Sequence, residues 1–376
     1  DYFNGSSSTY DSDSYQPAAP FNNPDWYHHF GDITDWSDEN QVLNYDLGGL
    51  DDLNQDNPDA RQAIKDAYKA WVEDTGADGV RIDAARSLPK DFIQEFENYL
   101  GVPSFGEIFV GDVDYVSDFS NYEWGVLDFP LFFQAREVFA HDASFTTVKS
   151  IFDQDSKYND VNHLVTFIDN HDRDRFLCLA DDNYQKLRLA LTFIFTVRGI
   201  PDVYYGTEQN CYGGGVPTEW AGIANKENRE VMPGFDEDGI TFKYIQRLTE
   251  LRKEYACLQT GTQREMWAED NIYAFSRRDD SNGQEIISVF NNGTSNETRA
   301  IPLRAESSLA VGTTLTNLLD TSVTATVEAG GITGKVLNLT IPAKTAWVFT
   351  SDNVADYAPP ARTVTTIRVH YDVGLG

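Results

Sequence analysis

The stretch "NPDARQAIKDAYKAWVEDTGADGVRIDA", residues 57–84, combines a helix signal with a strand signal that follows it directly. Asn57 can cap a helix, and Pro58 suits the first helical position because its missing N–H is not needed there. Apolar side chains recur at helical spacing and predict one apolar face of this helix, formed by Ile64, Ala67, Tyr68, Trp71 and Val72. The segment "DGVRIDA" then predicts a short strand.

The same alternation continues along the chain. A helix is expected from Pro89 to about Leu100. Further strands are predicted in "PSFGEIF", "WGVLDFP", "LVTFIDN" and "IPDVYYG", with helical stretches in "FFQAREVFA" and "NYQKLRLALTFIFTVRG". Strands separated by helices indicate an α/β fold with parallel pairing and crossover connections. From about Thr262 the pattern changes to short β runs with turn signals, which predicts a separate antiparallel β domain ending near Ser351.

These patterns predict four parts of the chain. Residues 1–55 form an irregular loop domain that is rich in Asp, Asn, Ser and Gly but holds several aromatic rings. Residues 56–260 form the α/β part, and residues 261–351 form the antiparallel β domain. Residues 352–376 are interpreted as a linker followed by the start of a further β module.

Composition limits the possible partners. The 376 residues are 41% apolar and 13% aromatic, which is typical of a folded globular protein. Lys and Arg number 29 against 60 Asp and Glu, so the net charge of −31 repels polyanions and argues against a nucleic-acid partner. No apolar run is long enough to span a membrane. The three cysteines, Cys178, Cys211 and Cys257, fit neither a metal-binding spacing nor a dense disulfide framework.

Charged residues occur at the ends of three predicted strands. Arg81 and Asp83 share one strand face, because side chains alternate along a strand. Glu107 lies in "FGEIF", and Asp172 follows "LVTFIDN". One such residue is more often a helix cap or an ion-pair partner. Three carboxylates with an arginine and a histidine, however, are the groups that retaining glycoside hydrolysis requires.

The chain resembles the α-amylase family of glycoside hydrolases, which includes cyclodextrin glucanotransferases. The resemblance is carried by "GVRIDAARS", "FGEIF", "TFIDNHD" and "GIPDVYYGTEQ" in the family's order and spacing, and it extends from about Trp26 to Ser351. It implies a (β/α)₈ TIM barrel with its active site at the C-terminal ends of the strands. Residues 1–55 would belong to the loop domain inserted after the third barrel strand, and residues 261–351 to the family's C-terminal β-sandwich.

Only the last five barrel strands are recognisable. The family's earlier motif, an Asp and an Asn-His pair at the third strand, is absent. A barrel without its first three strands would expose sheet edges, so we expect the sequence to be a fragment of a longer protein. The resemblance also makes starch binding one interpretation of the module that begins within residues 352–376.

The resemblance implies a role for each residue that matches a family motif. Asp83 would be the nucleophile, Glu107 the general acid/base and Asp172 the stabiliser of the transition state. Arg81 would orient the nucleophile, and His171 would bind sugar hydroxyls. In the same loop, Asp169, Asp174 and Arg175 are expected to shape the backbone rather than to act in catalysis.

Other matching positions imply outer sugar contacts. Trp36 and Phe109 match aromatic positions of the acceptor site, with packing in the core as the alternative for each. Arg86 stands where the family often has a Lys that meets the leaving group, and Arg229 would contact sugars further toward the non-reducing end. Gly48 stands where the family's transferases place a Tyr or Phe.

A calcium ion is also implied by the resemblance. Asp52 matches the carboxylate ligand in the inserted domain, and Ser87 supplies the matching backbone carbonyl. Because the ligand at Ser87 is the carbonyl, its side chain need not be the family's usual His. A simple loop cap is the alternative for Asp52.

The leading hypothesis is a secreted, monomeric, endo-acting α-1,4-glucan hydrolase that cleaves starch-like polysaccharides with retention of configuration and carries Ca²⁺. A cyclodextrin glucanotransferase or a maltooligosaccharide-forming amylase is the alternative among enzymes. A transporter partner without activity is disfavoured, because such relatives lose carboxylates that this chain keeps. A protein that binds carbohydrate without cleaving it is a third alternative.

Overall fold

The computed structural model of the protein describes residues 18–213 and 228–359. The start of the loop domain, residues 1–17, lies outside the described residues, as does most of the further module expected after residue 351. The domain boundaries near residues 55, 260 and 351 stay a prediction.

The chain divides into two compact units. Unit 1 comprises residues 1–134 and 148–166, and unit 2 comprises residues 135–147 and 167–376.

The described helices and strands alternate up to residue 201, and strands dominate after residue 261. The helices are α1 Glu39–Asn44, α2 Pro58–Thr75, α3 Lys90–Leu100, α4 Val113–Phe119, α5 Phe129–His141, α6 Thr146–Phe152, α7 Phe176–Leu179, α8 Tyr184–Thr196, α9 Ile240–Glu254 and α10 Ala256–Thr260. Single 3₁₀ turns are Pro24–Trp26, Ala85–Ser87, Asp155–Lys157 and Val161–His163. The strands are β1 Val80–Ile82, β2 Ser104–Gly106, β3 Gly125–Leu127, β4 Leu164–Thr166, β5 Ile200–Pro201, β6 Thr262–Ala268, β7 Ile272–Arg278, β8 Glu285–Asn291, β9 Glu297–Pro302, β10 Thr314–Asn317, β11 Thr324–Ala329, β12 Lys335–Ile341 and β13 Thr345–Thr350. All five strands predicted in the α/β part are present.

Strands β1 to β4 of unit 1 pair in chain order, and every pairing is parallel. The register of β1 and β2 places Ile82 opposite Gly106. The ladder extends by one further bond, because the N–H of Glu107 donates to the carbonyl of Ile82 at 2.9 Å. Asp83 and Glu107, which follow the paired residues of β1 and β2, therefore lie at the same C-terminal end of the sheet.

Helix α2 begins and ends as its sequence predicts. The side chain of Asn57 accepts bonds from the N–H groups of Asp59 and Ala60, and Gly76 ends the helix at a φ of 66°. The predicted apolar face, in contrast, is wrong in part, because Trp71 is 69% exposed and Tyr68 is 45% exposed.

The face of α2 that packs in unit 1 is partly polar. The side chain of Lys65 is buried and pairs with Glu95 of α3, which Arg61 also binds at 2.6 Å. The rings of Phe96 and Tyr68 pack in a T-shaped arrangement, with their centroids 5.3 Å apart. Ion pairs thus replace part of the apolar contact that the periodicity suggested.

The antiparallel domain of unit 2 confirms the prediction made for the region after Thr262. Its eight strands run in the order β6-β7-β8-β13-β10-β11-β12-β9. Side chains from all parts of this sheet meet in one apolar core that includes Ile287, Val327 and Leu337. All three cysteines are buried and free. Among the described helices, none is long and apolar enough to cross a membrane.

Candidate active site

Arg81 of β1 binds the two carboxyl groups that the parallel register brings together in unit 1. Its Nη1 atom donates to Oδ1 of Asp83 at 2.8 Å, as expected for residues two apart on one strand face. Its Nη2 atom lies 3.0 Å from Oε1 of Glu107. One guanidinium therefore fixes both acids with the two arms of its fork.

The two acids differ in their surroundings. The side chain of Asp83 is 63% exposed, whereas that of Glu107 is 10% exposed. The N–H of Ala84, which has a φ of 45°, donates to Oε2 of Glu107 at 3.2 Å. An accessible carboxylate beside a shielded one is an arrangement that can divide attack and proton transfer between two groups.

Arg86 lies between two aromatic rings in the same unit. Its guanidinium carbon is 5.3 Å from the ring centroid of Trp36 and 5.3 Å from that of Tyr115. Its Nη2 atom also donates to the carbonyl of Trp36 at 2.6 Å. The hydroxyl of Tyr115 donates to Oε2 of Glu39 at 3.1 Å. We call this group of side chains the Trp36 stack; it comprises Trp36, Arg86, Tyr115 and Glu39. Trp36 itself remains 47% exposed.

Phe109 takes part in an aromatic cluster. Its ring meets Phe129 edge-on at 4.7 Å between centroids and Phe133 at 5.8 Å. The side chain is half-buried. Packing is thus one function of Phe109, and its remaining surface leaves room for contact with a ligand.

In unit 2, His171 and Asp172 lie in the loop that follows residue 168. Nε2 of His171 is 3.2 Å from Oδ2 of Asp172. Nη2 of Arg229 donates to the other oxygen, Oδ1, at 2.9 Å. Arg229, which was expected to contact sugars, therefore binds a predicted catalytic carboxylate directly.

The neighbouring charged residues of this loop are buried. Asp169 is 2% exposed and accepts bonds from the N–H of Phe176 at 3.0 Å and the hydroxyl of Thr207 at 3.2 Å. Burial raises the pKa of Asp169 above its ordinary value. Asp174 is also buried, and Arg175 has no exposed surface. These positions suit the structural role that the sequence predicts for them.

Asp52 is shielded and bonded to a histidine. Its Oδ2 lies 2.7 Å from Nδ1 of His28, and its N–H donates to Oδ1 of the buried Asp46 at 3.2 Å. Burial raises the pKa of Asp52 to about 6, against the opposing effect of His28. Ser87 ends the 3₁₀ turn that follows β1.

As calcium ligands, Asp52 and Ser87 fit by donor chemistry, since each offers oxygen. They supply two of the roughly six to eight oxygens that calcium takes. Across residues 18–213 and 228–359, no group of three His, Cys, Asp or Glu side chains is arranged to hold a metal.

A family model of the alpha-amylase catalytic domain matches residues 1–238, more than half of the chain. This chain belongs to the alpha-amylase family. Its four parallel strands in unit 1 fit the TIM barrel of that family's catalytic domain, and unit 2 adds the antiparallel sheet.

Relatives in the alpha-amylase family carry more than one name. The beta/alpha-amylase of Paenibacillus polymyxa is 38% identical over 343 residues, covering 88% of this chain and 27% of that protein. The cyclomaltodextrin glucanotransferase of Geobacillus stearothermophilus is 34% identical over 286 residues, covering 73% of this chain and 38% of that protein. The crystal structure of an Anoxybacillus alpha-amylase superposes with a TM-score of 0.76 at 28% identity, covering 88% of this chain and 72% of that one. The chain thus spans well under half the length of these two curated relatives.

Sequence comparison with the alpha-amylase family did not reveal every residue around the predicted site. Tyr115 and Glu39 lie 76 positions apart, and neither belongs to a motif. Asn228, which precedes Arg229, binds two carbonyls of the His171 loop. The only feature of the sequence that pointed to Asn228 was its position next to Arg229.

Proposed function

We propose that this chain belongs to an endo-acting α-1,4-glucan hydrolase that cleaves starch-like polysaccharides with retention of configuration. The observation that carries the proposal is the shared contact of Arg81 with Asp83 and Glu107. Retaining glycosidases need two carboxyl groups held close together on the scissile bond, roughly 5 to 5.5 Å apart. A single guanidinium that binds both acids supports the proposal that they lie close together.

In the first step, Asp83 would attack the anomeric carbon and form a covalent glycosyl-enzyme. Arg81 holds Oδ1 of Asp83, which would leave the other carboxylate oxygen to attack the sugar. Glu107 would give its proton to the leaving oxygen, so that the departing glucan is released as a neutral alcohol. Arg81 and the N–H of Ala84 bind the Glu107 carboxylate that this transfer generates.

In the second step, Glu107 would accept a proton from water as the water attacks the same anomeric carbon. The bond to Asp83 breaks, its carboxylate is regenerated, and the sugar keeps its configuration after two inversions. Asp172 would stabilise the positive charge that builds on the sugar ring in both transition states. His171, whose side chain is 40% exposed, would bind sugar hydroxyls.

Glucan binding beyond the reacting sugar would use aromatic surfaces of unit 1. The exposed ring of Trp36 can stack on an apolar sugar face, and Arg86 can donate to hydroxyls from its place on that ring. Phe109 would contribute its unburied edge. Because a long α-glucan cannot cross a membrane unaided, we also propose that the enzyme acts outside the cell.

A bound calcium ion is part of the proposal. Asp52 and the carbonyl of Ser87 would hold it together with further oxygens, and the ion would tie the inserted loop to the barrel. The proposal is supported by the position of Asp52, whose side chain is 15% exposed, beside the buried Asp46, since two shielded carboxylates are stabilised by a cation between or beside them.

Transfer to another sugar is the second candidate function, favoured by the cyclomaltodextrin glucanotransferases among the relatives. Gly48 argues for water as the main acceptor. It has no side chain to hold an acceptor glucan, and its φ of 60° disfavours any other residue. Chromatography of the products that the full chain forms from soluble starch tests this proposal. We expect linear maltooligosaccharides; cyclic products as the main species would assign the protein to the transferases, and no products would contradict both.

A further inference from the structure

Residues 228–230 of unit 2 bind the loop that carries His171 and Asp172. Asn228 and Arg229 donate hydrogen bonds to the loop, and Glu230 forms an ion pair with Arg175 at its end. The inference drawn from this contact rests on the proposed role of Asp172 in glycoside hydrolysis.

Asn228 binds the loop on both sides of the predicted pair. The residue has no exposed surface. Its Nδ2 donates to the carbonyl of Asn170 at 3.1 Å and to the carbonyl of Arg173 at 2.7 Å. These carbonyls flank His171 and Asp172 in the chain, so one amide group fixes both ends of the short turn. The carbonyl of Arg173 is buried and would cost free energy if it were unpaired.

Arg229 binds the two residues in the middle of the turn. Its Nε donates to the carbonyl of His171 at 2.9 Å, and its Nη2 donates to Oδ1 of Asp172 at 2.9 Å. The planar fork of a guanidinium reaches two acceptors in a fixed relative direction, which a lysine ammonium cannot do. Oδ2 of Asp172 is left beside Nε2 of His171.

Residues 228–230 are in turn held in place by contacts with Tyr205 and Arg175. The carbonyl of Glu230 accepts a bond from the hydroxyl of Tyr205 at 2.7 Å, and Oε2 of Glu230 lies 3.3 Å from Nε of Arg175. Arg175 is fully buried and donates to the carbonyl of Tyr205 at 2.5 Å. A Cβ at Gly213, whose φ is 64°, would collide with the Arg175 side chain. Arg229 thus projects from a fixed backbone.

We propose that Arg229 is a positioning residue for Asp172, and that Asn228 and Glu230 hold it in place. A carboxylate on a turn, 29% exposed, has rotational freedom about two bonds. A group that stabilises a transition state must be oriented before the reaction, since reorientation during it adds to the barrier. The bond to Oδ1 restricts that freedom and leaves Oδ2 without a contact to Arg229, beside Nε2 of His171.

The test compares a substrate of one sugar unit with a long one, using Arg229→Gln in the full chain. α-Glucosyl fluoride offers only the reacting sugar, whereas soluble starch also fills the outer positions. Arg229 would act through Asp172, which serves the reacting sugar that both substrates share. The kcat should therefore fall about 100-fold on both substrates, while KM changes little. Lys243→Gln, which removes the cation of an exposed ion pair with Asp238 in the same unit, is the matched control and should leave both kcat values unchanged.

Arg229→Lys keeps the charge but lacks the fork, and we expect it to recover only part of kcat. The melting temperature of each variant is measured alongside, and it should stay within a few degrees of the wild-type value. Loss of activity on starch alone would make Arg229 a contact to distant sugars and overturn the proposal. Full activity of Arg229→Lys, or a collapse of the melting temperature that accounts for the lost activity, would overturn it as well. A wild-type chain that turns over neither substrate would instead contradict the proposed function.

Discussion

The Nη2 atom of Arg81 lies 3.0 Å from Oε1 of Glu107. The contact joins a residue of β1 to the residue that follows β2, and it depends on the parallel register of these two strands. Through its other arm the same guanidinium binds Asp83. The proposed division of work between the two acids follows from this geometry and from their different exposure.

Replacing each acid should affect the two chemical steps differently. Asp83→Asn removes the nucleophile and should abolish turnover of both starch and α-maltosyl fluoride. Glu107→Gln removes the proton donor, which costs about 10² to 10⁴-fold on starch. Fluoride leaves without protonation, so Glu107→Gln should still show a burst of fluoride release, measured with a fluoride electrode. Asp91→Asn, which alters an exposed acid of unit 1, is the control. Equal behaviour of both variants on the fluoride would refute the assigned roles.

The Trp36 stack should govern the binding of long glucans. Trp36→Ala removes the platform under Arg86, and we expect KM for starch to rise about 10-fold, in line with roughly 1.4 kcal/mol of stacking. Kinetics on α-glucosyl fluoride should stay unchanged. Tyr115→Phe keeps the ring but loses the bond to Glu39, so its effect should be smaller. Trp71→Ala alters another exposed tryptophan of unit 1 and serves as the control. A KM that rises equally in both tryptophan variants would contradict the assignment.

Gly48 should influence whether water or a sugar is the acceptor. A Cβ at Gly48 meets nothing within 4 Å, so the first atom of a side chain has space there. The φ of 60°, in contrast, strains the backbone of any L-residue other than glycine by about 1–2 kcal/mol. Gly48→Tyr should therefore lower stability and raise the ratio of transfer to hydrolysis, measured from cyclic and linear products.

The neighbouring Gly49 offers a matched control for this change. It also has a positive φ, at 80°, and open space around its Cβ position. Gly49→Tyr should thus lose similar stability without altering the product ratio. The same ratio in both variants would show that position 48 has no special part in acceptor choice.

Glu123 should make the stability of the protein depend on pH. It is 5% exposed, and its oxygens have no hydrogen-bond partner in the part of the chain that the structure describes. Burial, with a contribution from Glu97, raises the pKa of Glu123 from 4.5 to about 9. Gly106 permits this placement, because a Cβ there would collide with the Glu123 carboxyl.

The direction of the pH dependence follows from the raised pKa of Glu123. The stability that protonated Glu123 contributes is fully present below its unfolded-state pKa of 4.5 and is lost as pH rises through about 9. The free energy of unfolding of the wild type should fall by up to about 1.4 kcal/mol per pH unit in this window. Glu123→Gln should lack this component in urea titrations at about pH 5 and about pH 8. Glu73→Gln, an exposed change on α2, should follow the wild type. Parallel pH dependence of Glu123→Gln and wild type would contradict the prediction.

Calcium should stabilise the folded chain through Asp52. A chelator is expected to lower the wild-type melting temperature, because an ion that binds only the folded state adds about 2.7 kcal/mol at a hundredfold excess over its Kd. Asp52→Asn should remove most of this dependence. Ser87→Ala should keep it, since the proposed ligand is the backbone carbonyl. An unchanged wild-type melting temperature in chelator would exclude the ion, and loss of the dependence in Ser87→Ala would point to a different ligand.

Local features of the fold could be predicted from the sequence because they depend on neighbours in the chain. Asn57, Pro58 and Gly76 set the ends of α2 as expected. The contact of Arg81 with Asp83 follows from strand alternation. The buried face of α2 could not be predicted, because it includes Lys65. The charge of this lysine is paired with Glu95, which lies 30 residues away in the chain. An apolar pattern does not reveal an ion pair of that kind.

The same limit applies around the candidate site. Motif matches predict that Arg86 and Arg229 lie near a bound glucan. They do not show that Arg86 lies between Trp36 and Tyr115, or that Arg229 binds Asp172. Those contacts arise from packing between segments that are distant in the chain. In both cases the arginine binds side chains of this protein itself.

The stereochemistry of the first product tests the central claim most directly. Proton NMR of the full chain acting on a maltooligosaccharide, recorded before mutarotation, distinguishes the α from the β anomer at the newly formed reducing end. Double displacement by Asp83 and water predicts the α anomer as the initial product. Initial release of the β anomer would contradict a covalent intermediate on Asp83 and the retaining mechanism with it.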